Sequence, residues 1–139
     1  MGTTHFHDSE FACKHCGQGG DQMNPILLNL LEKLREDIGG YSLTINCGYR
    51  CPYWNEQVGG AKFSQHVLFN AADVAVPSAL SVIELAWFAR RIQDEEGHHF
   101  TGIGVYAYDP EGNTKGDGFI HLDVRNDGYG EVAEWSDLG

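Results

Sequence analysis

The sequence predicts an α+β fold in which helices pack on a mainly antiparallel sheet. Two observations carry this prediction: amphipathic helical patterns and short strand patterns both occur, and they are segregated along the chain rather than regularly alternating. The length of 139 residues suits one hydrophobic core, so we expect a single domain over residues 1–139. Eighteen glycines indicate many turns and close backbone approaches.

Two helices are predicted from capping signals. An Asn-Pro pair at residues 24–25 starts the first, and apolar residues at helical spacing continue over residues 26–38 until two glycines end it. Ser81 and Glu84 have the spacing of a capping box, which starts the second. We expect the apolar residues of this second helix, Trp87 among them, to contact the core.

Four strands are predicted from runs of strand-forming residues bounded by turn signals. They cover residues 41–46, 71–76, 102–108 and 118–124. Glycine and proline follow the first strand, so Arg50 is expected in a loop.

The charge pattern excludes several classes of partner. A net charge of -11 repels polyphosphates and anionic membrane surfaces, and no basic stripe with interleaved aromatic residues is present. No apolar run is long enough to span a membrane, and the N-terminus lacks the pattern of a secretory signal. We therefore expect a soluble monomer without nucleic-acid partners, membrane insertion or an export signal.

The four cysteines form two close pairs in the sequence, Cys13 with Cys16 and Cys47 with Cys51. A two-residue gap is common in structural zinc sites, whereas the second pair has a three-residue gap. A four-thiolate structural zinc site, two disulfides and four free thiols all remain open, because the redox compartment decides oxidation.

Two segments carry residues suited to metal chemistry. His66 lies seven residues before Asp73, whose carboxylate interrupts an otherwise apolar strand, and such a group is costly to bury unless paired or metal-bound. In the last predicted strand, His121, Asp123 and Arg125 alternate with apolar residues and so project from one face.

Together, His66, Asp73 and His121 offer two imidazoles and one carboxylate. This is the ligand set of a catalytic zinc site that keeps a fourth position for water, and a nearby carboxylate would accept the water's proton. The spacing alone leaves structural explanations open: a hydrogen-bonded His66, an Asp73 that accepts backbone donors, and a solvated polar face around His121.

Ordered motifs from about Phe11 to Trp135 resemble the zinc D-Ala-D-Ala carboxypeptidase family. They are NCGYRCP at 46–52, Asn55, VGGA at 58–61, SQH at 64–66, AADV at 71–74, GIGVY at 102–106, FIHLDVR at 119–125 and Trp135.

The resemblance implies a hedgehog-like fold and action on peptidoglycan stem peptides, as carboxypeptidase or endopeptidase. It makes His66, Asp73 and His121 the zinc ligands. It also gives Arg50 the role of holding a substrate carboxylate or carbonyl and stabilising the developing oxyanion. A small form without a signal would suit a phage lysin, released to the wall from the cytoplasm. The rival function is a noncatalytic, zinc-stabilised cell-wall-binding module.

The general base is assigned to Asp123, with Asp117 as alternative, because Gly118 occupies the place where many relatives carry an acid. Asp123 has a second interpretation, in which it orients a ligand or pairs with Arg125. Phe69 replaces a family glycine, and we expect a bulky residue there to avoid positive φ and change the loop's path.

The remaining histidines have no matching role in the family. We expect His98 and His99 to be solvated loop residues, and we interpret His5, His7 and His15 in the same way.

Overall fold

The computed structural model describes residues 3–137 and confirms the predicted α+β class. Within these residues, the helices are α1 (Pro25–Asp37), α2 (Pro52–Gln57) and α3 (Val82–Ala89). The strands are β1 (Thr44–Cys47), β2 (Ala71–Ala75), β3 (Gly102–Tyr106), β4 (Phe119–Asp123) and β5 (Ala133–Asp137). Short 3₁₀ helices cover Asp8–Phe11, Gly20–Gln22 and Arg125–Gly128.

The five strands form one mixed sheet in the order β1-β2-β4-β3-β5. Neighbours among β1, β2, β4 and β3 are antiparallel, whereas β5 runs parallel to β3. The prediction of a mainly antiparallel sheet is therefore largely confirmed. The sequence does not predict β5, because this edge strand is polar and mostly exposed and lacks apolar alternation.

Both predicted helices are confirmed together with their caps. The Asn24 side chain accepts a hydrogen bond from Ile26 N at 2.9 Å at the start of α1. In α3, Ser81 Oγ accepts from Glu84 N and the Glu84 carboxylate accepts from Ser81 N, which completes the capping box. The expectation that Trp87 contacts the core is wrong, because its side chain on α3 is 49% exposed.

The structure adds α2, whose six residues are too few to show helical periodicity. In the described part of the chain, no helix has both the length and the apolar character needed to cross a membrane.

The apolar core lies on one face of the sheet, with residues of α1 and α3 packed into it. Val74 of β2 and Ile120 and Leu122 of β4 are fully buried there. Side chains alternate across a strand, so Asp73 and His121, which lie between these core residues, project from the opposite face. The alternation that builds the core therefore also places the polar residues together.

Phe69 contradicts the expectation that a bulky residue would avoid positive φ. Its φ is 64°, in the left-handed region that glycine adopts easily. The Phe69 ring stacks on Tyr49 with centroids 4.2 Å apart and an interplanar angle of 8°. This stacking offsets a backbone cost of about 1 kcal/mol, so the loop keeps a glycine-like path without a glycine.

Replacing Phe69 by Ala and by Gly separates the two effects. Both variants lose the stacking on Tyr49, but only glycine relieves the positive φ. We expect both to be less stable than the wild type, and Phe69→Gly to be more stable than Phe69→Ala by about 1 kcal/mol. Urea unfolding measures the free energies, and equal stability of the two variants would show that residue 69 is not strained.

Candidate metal centre

One row of paired residues crosses all five strands on the face opposite the core. Cys47 of β1 pairs with Asp73 of β2, which pairs with His121 of β4. On the other side of His121 the row continues through Gly104 of β3 to Trp135 of β5. Strand register therefore brings residues from distant parts of the sequence into one line.

His66 reaches this row from the loop between α2 and β2. Its Nδ1 lies 2.8 Å from Gly48 O, and a carbonyl can only accept, so Nδ1 carries a proton. Its Nε2 is buried and makes no hydrogen bond to any residue in the range 3–137. The Asp73 carboxylate lies 3.3 Å from this nitrogen without a well-aligned hydrogen bond, and a metal ion between the two atoms would satisfy both.

Three potential ligand atoms converge at Asp73. Asp73 Oδ1 lies 3.3 Å from His66 Nε2 and 3.1 Å from His121 Nδ1. Nitrogen and oxygen ligands about 2.0 to 2.1 Å from a tetrahedral zinc ion are separated by about 3.3 Å, so both distances suit one shared ion. Asp73 thus lies within zinc-ligand spacing of each histidine, and the three residues carry donor types that zinc binds.

The charges of these groups support a cation site. Burial by itself would lower the pKa of His66, but the Asp73 carboxylate and the Cys47 thiol raise it to about 10. Burial would raise the pKa of Asp73, yet the two imidazoles hold it well below its usual range. The ionised carboxylate thus attracts positive charge between the imidazoles, and a bound metal ion would replace the protons there.

Asp123 lies behind His121 and is completely buried. Its Oδ2 is 2.8 Å from His121 Nε2, and it accepts hydrogen bonds from the Arg125 guanidinium at 2.9 and 2.7 Å. Burial would raise the pKa of Asp123, but the hydrogen bonds from Arg125 and His121 lower it to about 2. The carboxylate therefore fixes the His121 ring with Nδ1 turned toward Asp73, as in carboxylate–histidine–metal arrangements.

Two glycines of β3 make room for this arrangement. A Cβ at Gly102 would lie 2.0 Å from Asp123 Oδ2, and one at Gly104 would lie 2.5 Å from Trp135 Nε1. Any side chain at either position would displace the Asp123 carboxylate or the Trp135 indole. The glycines of the GIGVY motif are thus required by packing against the site.

A cleft of about 480 Å³ opens over His66, Asp73 and His121. Arg50 and the loop over residues 60–65 form one wall. The opposite wall consists of residues from β3 to β5: Tyr106, Phe119, Arg125 and Trp135. Side chains alternate along β3, so Tyr106 projects from the same face as Gly102 and Gly104. This alternation is the pattern from which the sequence could have identified Tyr106 as a cleft residue.

The other predicted site residues, Arg50, Asp117 and Asp123, differ in their position relative to the cleft. Arg50 lies in its predicted loop and donates from Nη1 to Asn55 Oδ1 at 2.9 Å. Asp117 precedes β4 and does not line the cleft, and neither does Asp123. Asp123 is also completely buried, and the choice of general base between Asp123 and Asp117 stays a prediction.

The structure keeps Cys13 with Cys16 but separates Cys47 from Cys51. Potential ligand atoms of Cys13, Cys16 and Cys51 all lie within 4.8 Å of one another. Cys47 instead lies beside the cleft, with Sγ 3.7 Å from His66 Nδ1. All four are free thiols in this structure. The sequence missed Cys47 as a neighbour of the metal centre, and its register opposite Asp73 explains the position.

His98 corrects another expectation, because it is buried rather than solvated. Its Nδ1 lies 2.6 Å from the Asp94 carboxylate, and its ring packs on Tyr129. A larger open groove of about 1110 Å³ runs along α1, but its His5 is paired with Glu32 at 2.7 Å. Both features are remote from the metal centre.

A family model described as Peptidase M15 matches residues 4–123, which include His66, Asp73, His121 and Asp123. No curated protein matches the chain significantly.

Replacing Asp123 by Asn tests whether its carboxylate orients His121. We expect the affinity for zinc to fall by roughly 10 to 100-fold, because the amide is a poorer acceptor for His121 Nε2 and leaves Arg125 without its charge partner. Competition with a chromophoric chelator measures this affinity. Asp117→Asn makes the same chemical change outside the cleft and should bind zinc like the wild type. Unchanged zinc affinity in Asp123→Asn would contradict the orienting role.

Proposed function

The chain belongs to the peptidase M15 family, and we propose that it is a zinc-dependent peptidase that hydrolyses peptide bonds in peptidoglycan stem peptides. One observation carries the proposal above the others. Gly48 O holds Nδ1 of His66, and the Asp123 carboxylate holds Nε2 of His121. The other nitrogen of each ring therefore faces Asp73 Oδ1 on the floor of a cleft.

We assign the zinc ligands to His66, Asp73 and His121. When bound there, zinc would polarise the scissile carbonyl and activate a water molecule. Cys47 is a rival third ligand, because the Cys47 thiol and potential ligand atoms of His66 and Asp73 all lie within 4.8 Å of one another, a cluster that does not include His121. Cys47 Sγ lies 3.7 Å from His66 Nδ1, but this nitrogen carries the proton that it donates to Gly48 O. His121 Nδ1 instead faces the same Asp73 oxygen as His66 Nε2. The geometry thus favours His121.

Arg50 is assigned to substrate binding. Its guanidinium lines the cleft, and its five N–H groups leave donors for a ligand beyond those that contact Asn55 Oδ1 and the Cys47 thiol. A guanidinium binds a carboxylate through two parallel hydrogen bonds. This chemistry suits the free C-terminal carboxylate of a stem peptide, and it favours a carboxypeptidase reaction over cleavage within the peptide.

Tyr106 is assigned as a second donor on the opposite wall. Its hydroxyl accepts a hydrogen bond from Trp135 Nε1 at 2.7 Å, so its own proton is free to point elsewhere. Stacking on Phe119, with centroids 4.6 Å apart, holds the ring in place. A phenol fixed in this way is suited to hydrogen-bond a substrate carbonyl or the oxyanion formed from it.

Asp123 is assigned as a positioning residue for His121, because its burial and its bonds to Arg125 keep it from the cleft. Among the described residues that line the cleft, Asp73 is the one that carries a carboxylate. This observation favours a second candidate function, a noncatalytic zinc-stabilised module that binds cell-wall peptides. The hedgehog-like fold, the monomeric state and the setting of a phage lysin stay predictions from the resemblance.

Removal and return of zinc test the peptidase proposal. Dialysis against a chelator should abolish hydrolysis of purified peptidoglycan, and zinc should restore it. Magnesium should not, because it prefers six oxygen ligands. Mass spectrometry of the products distinguishes release of a terminal D-Ala from cleavage of a cross-link. Hydrolysis that resists chelation would overturn the proposal, and binding without hydrolysis by the zinc-loaded protein would support the binding module.

Arg50→Lys tests the substrate-binding role. Lysine keeps the positive charge but loses paired hydrogen bonding, so we expect kcat/KM for a stem peptide to fall by roughly 10 to 100-fold, mainly through KM. Arg90→Lys is the matched control, because Arg90 pairs with Glu134 outside the cleft. Steady-state kinetics on a synthetic stem peptide measure both variants. Equal kcat/KM in Arg50→Lys and wild type would refute the role.

A further inference from the structure

We propose that Cys13, Cys16 and Cys51 form a second zinc site, structural in role, which fastens the N-terminal segment to the loop that carries Arg50. This site is separate from the cleft, and the inference does not depend on the proposed peptidase activity. Potential ligand atoms of the three residues lie within 4.8 Å of one another. Sulfur ligands about 2.3 Å from a tetrahedral zinc ion are about 3.8 Å apart, so small side-chain rotations would let all three bind one ion.

The backbone around the cluster favours thiolates. The N–H of Cys51 donates to Cys13 Sγ at 3.4 Å, and the backbone amides of His15 and Cys16 donate to the same sulfur. The N–H of Trp54 donates to Cys51 Sγ, also at 3.4 Å. Thiolates are the metal-binding form of cysteine, and amide donors stabilise their negative charge.

A disulfide explains this arrangement less well than a metal ion. A disulfide joins two sulfurs and would leave the third thiol of the cluster without a bond, whereas one ion engages all three. Cys47 does not complete the set, because it lies beside His66 at the cleft. The His15 ring stacks on Trp54 at 11° and 5.5 Å, which holds it on α2. Cys16 is exposed, so the fourth coordination position of the ion would face solvent.

The location of the site gives it a positioning role. Cys51 follows Arg50 directly and is the N-cap of α2. Beside it, Tyr49 N donates to Phe11 O at 2.8 Å, so the N-terminal segment already contacts this loop. A zinc ion held by Cys13 and Cys16 from one segment and by Cys51 from the other would fix the backbone on which Arg50 stands.

Cobalt replacement tests the proposal on the full chain under reducing conditions. Loaded with Co²⁺, the wild type should hold two ions per chain and show thiolate-to-cobalt charge-transfer absorption. Cys13→Ser should lose this absorption and fall to one ion. Cys47→Ser is the matched control, and it should keep the absorption. Absorption that survives in Cys13→Ser and disappears in Cys47→Ser would place the thiolate ligand in the cleft and overturn the proposal.

A second measurement on the wild type does not depend on the folding of any variant. Added Zn²⁺ should protect Cys13, Cys16 and Cys51 from alkylation, as located by mass spectrometry of peptides. Equal alkylation of these cysteines with and without Zn²⁺ would refute the site. A disulfide that persists after zinc loading would also refute the site. It would lower the intact mass, measured without reductant, by two hydrogens relative to the mass expected for four free thiols.

Discussion

The carboxylate of Asp73 imposes the main constraint on this structure. It projects from a central strand between two largely buried imidazoles, at 3.3 Å from His66 and 3.1 Å from His121. A carboxylate in such a place is stable only when positive charge lies close to it. Gly48 O and Asp123 provide this arrangement, because their hydrogen bonds orient the His66 and His121 rings toward the same Asp73 oxygen.

Local sequence signals were sufficient to predict the features that depend on neighbours in the chain. The caps of α1 and α3 involve residues two or three positions apart, and strand alternation put His121 on a polar face. The assignment of His66, Asp73 and His121 as zinc ligands comes from the resemblance to zinc peptidases and stays a prediction, which the closeness of Asp73 to both histidines supports. The predictions of the caps and of the strand face succeeded because the physical cause of each lies within one element.

Other features depend on partners that are distant in the sequence. Asp123 shares the polar strand face of His121, and its complete burial becomes evident only when Gly102 of β3 is placed over it. His98 is buried by its pairing with Asp94 and by Tyr129. Phe69 takes a backbone conformation that its residue type disfavours, because the Tyr49 ring offers a stacking partner. Composition and periodicity contain none of these tertiary contacts.

The parallel pairing of β5 with β3 has a consequence for the order in which the site is assembled. As the chain is synthesised from its N-terminus, the candidate ligands are complete once His121 has been added, whereas Trp135 arrives fourteen residues later. The contact of Trp135 with Gly104 spans a long stretch of sequence and pays a larger loop-closure entropy than the hairpin of β3 and β4. A nascent chain therefore has all three candidate ligands before it has Trp135, the last residue of the wall opposite Arg50.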